Sequence, residues 1–168
     1  MKRIRRQGQI VLAVLAVLVC TAGTLLAQNP HFIRVTAELL ANGDLQVSFK
    51  EAGLGDTETT YVVSADATVT CTCLNNGGQC PNAANKRTFT ETVTATGTFS
   101  PKNGNVVATL TITAPGCPES DPPTCPNGQV LTLSEVTYDN IQVTDVTHNE
   151  GPEPAKPSSF SATFFTCP

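Results

Sequence analysis

Seven consecutive odd-numbered positions, Tyr61, Val63, Ala65, Ala67, Val69, Cys71 and Cys73, carry apolar residues, and mostly polar residues separate them. Successive side chains of a β-strand point to opposite faces, so this register buries one face of residues 60–73, as one long strand or two short ones, and leaves the other wet. A helix would scatter the same residues around its circumference. No stretch after residue 28 shows a convincing helical period, so the chain is confined to all-β architectures.

The same period-two pattern predicts further strands. Residues 32–40 set Ile33, Val35, Ala37 and Leu39 against Arg34, Thr36 and Glu38. Asn42-Gly43, both tolerant of positive φ, predicts a tight turn into 45–49, where Leu45, Val47 and Phe49 face inward. EAGLGD at 51–56 reads as a loop. Residues 106–113 repeat the alternation, 130–138 and 141–147 read as two strands, and 160–166 closes the chain. The Pro-rich stretches 114–129 and 148–159 read as connections. Seven to eight strands at this spacing predict a single-domain, disulfide-stabilised β-sandwich, immunoglobulin-like or jelly-roll.

Residues 88–99, TFTETVTATGTF, place threonine at every even position. Threonine is a strong strand former whose hydroxyl suits the solvent side, so the row marks the wet face. Glu91 shares the odd face with Phe89, Val93 and Phe99, which predicts a position at a sheet rim. Regular Thr rows also resemble the T-x-T faces of some ice-binding proteins, a function that needs several coplanar rows, and Thr109, Thr111 and Thr113 are the test of it.

Lys2, Arg3, Arg5 and Arg6 precede an apolar run at 10–27 that ends in small residues, the form of a secretory signal peptide. A cut after Ala27 leaves 28–168 as the exported domain, with a cut after Ala22 or an uncleaved anchor as alternatives. Removing the four basic residues of the leader leaves six against fourteen acids, a net charge of −8. Such a surface repels phosphate backbones, which excludes nucleic acid as a natural partner. No second apolar span follows, so membrane insertion after cleavage is not expected. Six cysteines remain, Cys71, Cys73, Cys80, Cys117, Cys125 and Cys167, an even number that predicts three disulfides in an exported chain.

No motif of a nucleophilic elbow, a zinc protease or a phosphate loop is present, and the sequence calls for no cofactor. The expectation is a non-enzymatic module. A small secreted hydrolase, such as a glycosidase using two of the fourteen acids, is the alternative. Asp139, Asn140 and Asp145, and Glu119 with Asp121, are the residues that could contribute to a calcium site. A protease inhibitor is a third reading, using loop 117–125 if Cys117 and Cys125 pair with each other.

VSFKEAGLG (47–55), CLNNGGQCPNAANK (73–86), SPKNG (100–104), CPNGQ (125–129) and VTYDNIQVTDVT (136–147) together resemble a group of small exported bacterial proteins of unknown function. That resemblance implies a Cys73–Cys125 bridge. Cys80–Cys117 with Cys71–Cys167 is then one way of pairing the rest, among the many connectivities open to six cysteines. A Cys73–Cys125 bridge brings loops 74–87 and 114–129 together, where Asn75, Asn76, Gln79 and Asn82 are positioned to bind an extracellular glycan or protein.

Overall fold

The computed structural model describes residues 29–81, 85–117 and 125–167. The expected signal peptide, Asn82, Glu119, Asp121 and most of loop 117–125 lie outside the described residues. Eight strands follow in chain order: β1 His31–Leu39, β2 Leu45–Ala52, β3 Thr59–Asn75, β4 Lys86–Phe99, β5 Asn105–Ile112, β6 Gln129–Asp145, β7 Glu150–Pro154 and β8 Phe160–Thr163. They form two antiparallel sheets packed as a sandwich. One sheet has the order β1-β2-β5, and the other has β4-β3-β6-β7, with β8 also paired to β6.

The core is the inward half of the alternation. Val47 and Phe49 from β2, Tyr61 through Val69 on the odd positions of β3, Val106 and Ile112 from β5, and Val136 and Tyr138 from β6 are buried. Phe32, Phe49, Tyr61 and Phe99 form an aromatic cluster with ring centroids 4.6–6.3 Å apart. The β1–β2 hairpin closes as expected, with Gly43 at φ +89° and its amide bonded to the Leu40 carbonyl.

Four expectations need correction. The register of β1 slips between Phe32 and Arg34, so Ile33 turns outward and Phe32 packs on the core in its place. Residues 130–138 and 141–147 are one strand rather than two. The register against β3 shifts around Asn140, whose φ of +53° absorbs the extra residue as a bulge. The Pro-rich connection 148–159 contains β7, because a strand end at a sheet edge tolerates Pro152 and Pro154. EAGLGD is a loop only from Gly53, since β2 runs on through Glu51 and Ala52.

The disulfides are Cys71–Cys117, Cys73–Cys125 and Cys80–Cys167. The 73–125 pair implied by the resemblance is present. The expected Cys80–Cys117 and Cys71–Cys167 pairs exchange partners. Adjacent inward cysteines of β3 hold the two ends of the 117–125 segment, leaving Cys80, in the following loop, for the C-terminal tail. The inhibitor reading's Cys117–Cys125 closure is therefore absent. All three bridges gather at one end of the sandwich, where β3 ends. Disulfides of this number fit an oxidising compartment. Among the described residues, no helix is long and apolar enough to cross a membrane.

Candidate functional site

The wet face of the larger sheet is a continuous hydroxyl surface. Even positions of β4 lie opposite even positions of β3, pairing Thr98 with Thr60, Thr94 with Ser64, Thr90 with Thr68 and Thr88 with Thr70. Oγ atoms meet at 2.8 Å for Thr60–Thr98, 3.2 Å for Thr68–Thr90 and 3.4 Å for Thr70–Thr88. The surface continues across β6 and β8, where Thr137 donates to Ser161 at 3.2 Å. Thr109 and Thr111 do not join it. They lie on β5 of the other sheet, where Thr109 meets Ser48 at 2.8 Å. The array is built from β3 and β6 instead. Glu91 is exposed on β4, an edge strand.

Asp66 sits in the middle of this face. Its carboxylate accepts from Thr92 at 3.0 Å and from Asn140 Nδ2 at 2.8 Å. Those two donors, Asn140 first, hold its pKa below the ordinary carboxylate value. Asp139 lies directly opposite Asp66 on the neighbouring strand. The third calcium candidate, Asp145, is six residues from Asp139, about 20 Å along the strand. It is fully buried and already engaged by the Thr147 and His148 amides and by His148 Nδ1 at 2.7 Å. These three residues therefore do not converge. Among the described residues, no group of three or more His, Cys, Asp or Glu side chains is arranged to hold a metal.

At its disulfide-bearing end the hydroxyl face is roofed by the C-terminal tail. The tail leaves β8, bonds Phe164 N to the Ser134 carbonyl at 2.8 Å, and reaches Cys80 through Cys167. Lys86 Nζ donates to the Cys167 carbonyl at 3.3 Å, tying the tail to β4. Between tail and sheet lies a cleft of about 250 Å³. Its floor is a hydroxyl chain. Buried Thr72 donates to Ser134 Oγ at 3.0 Å, and Ser134 donates to the Thr70 carbonyl at 2.9 Å. Lys86 and Glu135 flank the cleft, and Phe165 supplies an apolar wall. A second cleft, about 390 Å³, opens beside Phe99, Lys102 and Val107 and contains no carboxylate.

The loop residues expected to bind are arranged differently. Asn75 Oδ1 accepts from the Gly77 and Gln79 amides at 3.0 and 2.9 Å, so its side chain holds its own loop. Asn76 and Gln79 are exposed, and Asn82 lies outside the described residues. The loops do meet at the disulfide end, but the cleft there is built mainly from strand and tail residues.

Sequence reasoning also missed a buried acidic cluster at the opposite end. Glu51 and Asp145 are both fully buried, beside Tyr61 and the His148–Glu150 turn. The Tyr61 hydroxyl is near enough to ease the Glu51 charge, yet it falls outside full hydrogen-bonding geometry. Neither Glu51 oxygen therefore has a partner among the described residues. Burial pushes the Glu51 pKa up to about 7, and Asp145 and Glu150 add to that shift. Burial and the adjacent Glu51 raise the Tyr61 phenol well above its usual value. The signal was available in the alternation: continuing Leu45, Val47, Phe49 reaches Glu51, and continuing Ile141, Val143 reaches Asp145. Sealed from solvent, this carboxylate pair does not face a substrate.

Two antiparallel sheets with three disulfides define the class as a disulfide-stabilised β-sandwich. Comparison with protein-family models, with curated proteins and with solved structures found no match.

Proposed function

We propose that this chain is a secreted, non-catalytic binding module that takes a polyhydroxylated ligand, such as a terminal sugar of a cell-exterior glycan, in the cleft beneath the C-terminal tail. The observation that carries this reading is the lining of that cleft, with hydroxyls on the floor, one cation, one carboxylate and one aromatic wall. Sugar recognition needs donors and acceptors fixed in direction together with an apolar surface for a ring face. A volume of about 250 Å³ suits one small ring rather than a long chain. The basic leader with its apolar run, and the three disulfides, support export.

The strand order supports an immunoglobulin-like reading. With β1, β2, β3, β5, β6 and β7 lettered A, B, C, E, F and G, one sheet is A-B-E and the other contains C-F-G flanked by β4. Immunoglobulin-like sandwiches serve widely as extracellular binding domains, which is an argument from fold alone. A hydrolase finds less support, because the cleft offers a single carboxylate, Glu135.

The test is an NMR titration of the purified chain with a panel of monosaccharides and polyols. At least one ligand is expected to shift the Thr70, Ser134 and Thr166 amides, and Phe165→Ala and Lys86→Ala are expected to weaken that ligand about tenfold or more. A panel that leaves these amides unmoved overturns the reading.

A further inference from the structure

The two sides of the sandwich are treated differently. On one side β1 lies beside β7 and β8, and the edges are sealed. The Lys156 amide bonds the Val35 carbonyl at 3.1 Å, Thr36 and Lys156 form a parallel bridge, and buried Ala155 fills the corner. The edge strands there carry protective features. β1 is bulged at Ile33, β7 contains Pro152 and Pro154, and β8 has four residues. Such features are how natural sheets prevent a further strand from adding.

The other side, where β4 lies beside β5, has none of these on its longer edge. β4 pairs with β3 over fourteen consecutive positions without a bulge. It has no proline, and Glu91 is its one charge between Thr88 and Phe99. Its second edge runs about 45 Å at the usual rise per residue. Lys86 and Arg87 place its other charges at its first two positions, and the remainder is a long, bulge-free edge, which is a template for β-pairing.

The sequence of that edge also specifies which strand fits. In an antiparallel pair related by a two-fold axis normal to the sheet, each residue meets one of the same parity. Every even position of β4 from 88 to 98 is threonine and the odd positions between them are mostly apolar, so this stretch of β4 is complementary to itself. Centred on Val93, the pairing sets Thr92 against Thr94, Thr90 against Thr96 and Thr88 against Thr98 on the wet face. Glu91 meets Ala95, and no like charges oppose one another. Thr–Thr contacts of this kind already exist on the occupied edge, at 2.8–3.4 Å with β3.

We propose that β4 pairs antiparallel with β4 of a second copy of this chain about Val93, so that the two five-stranded sheets become one continuous sheet. The hydroxyl face then doubles in width and carries two clefts at its far ends.

Sedimentation equilibrium and native-state hydrogen exchange on the purified chain test this together. The expected result is a two-chain mass across the micromolar range, with consecutive β4 amides protected rather than every second one. Thr92→Lys combined with Thr94→Lys would oppose lysines across the seam. Both residues are exposed, so the fold should persist while the mass falls to one chain and alternate β4 amides become fast-exchanging. A one-chain mass for the unaltered protein overturns the proposal. So does a two-chain mass with only alternate β4 amides protected, which would place the contact elsewhere or assign the edge to a different partner.

Discussion

The Tyr138 hydroxyl donates a 2.9 Å hydrogen bond to the Gly43 carbonyl, joining β6 of one sheet to the β1–β2 turn of the other. Both groups are removed from water, and burial, with Asp44 nearby, pushes the phenol up to about 12. Tyr138→Phe keeps the ring and removes the donor, leaving a buried carbonyl without its partner. The expected loss is about 1–3 kcal/mol in urea unfolding with an unchanged m-value. A loss near zero would mean that water replaces the phenol.

Glu51 makes the fold sensitive to pH in the less familiar direction. Its pKa is about 7 in the folded chain against an ordinary 4.5, so the folded state holds the proton more tightly. Stability from this group is fully present below about pH 4.5, declines as the pH rises, and is lost above about pH 7. The decline is at most about 3 kcal/mol. Glu51→Gln mimics the neutral form, so the variant should match the parent near pH 4.5 and exceed it at pH 8. Equal pH slopes for the two proteins in chemical denaturation would refute this.

The disulfide connectivity has a direct chemical test. Chymotryptic cleavage after Leu74 separates Cys71 and Cys73 from Cys80, and cleavage before Asp121 separates Cys117 from Cys125. Under non-reducing conditions the Cys167 peptide should remain joined to the Cys80 peptide and to no other. Replacing the 73–125 pair by alanines while Cys71–Cys117 stays intact frees only the short ring formed by 71–73 and 117–125. For a ring of about a dozen residues the chain-entropy relation puts that loss at about 3 kcal/mol.

Gly53 holds a tight crossing. Its φ is +82°, and a Cβ there would strike the Asn29 carbonyl, a backbone atom that has little room to yield. Gly53→Ala is therefore expected to destabilise by about 2 kcal/mol or more, through both the backbone conformation and the clash. Thermal unfolding of the variant would show it. An unchanged midpoint would mean that the Asn29–Pro30 segment moves aside freely.

Much of the architecture was legible in the sequence because strand parity is a local property. The odd face of 60–73, the inward Leu45, Val47 and Phe49, and the wet threonines of 88–98 all occupy the expected faces. What escaped depended on longer range. The break expected between 138 and 141 is absent because neighbours on both sides carry β6 through Asn140 in its left-handed conformation. The pairing of Cys71 with Cys117 depends on where a 46-residue excursion returns, which no local pattern encodes. The acids at 51 and 145 were hidden by a sound rule, that charges avoid cores, applied where the alternation said otherwise. The cleft was not legible, since it exists only once the tail crosses the sheet.

β3 runs the length of the molecule, from Tyr61 beside the unpaired Glu51 carboxyl to Cys71 and Cys73 at the covalent clamps. One pole of the sandwich is stapled three times, and the other is kept shut by groups that would gain by reaching water. Opening should therefore begin at the acidic pole and travel toward the staples, like a book bound along one edge. A pull, a protease or a rise in pH would find the same loose corner first, while the cleft under the tail would be among the last features to come apart.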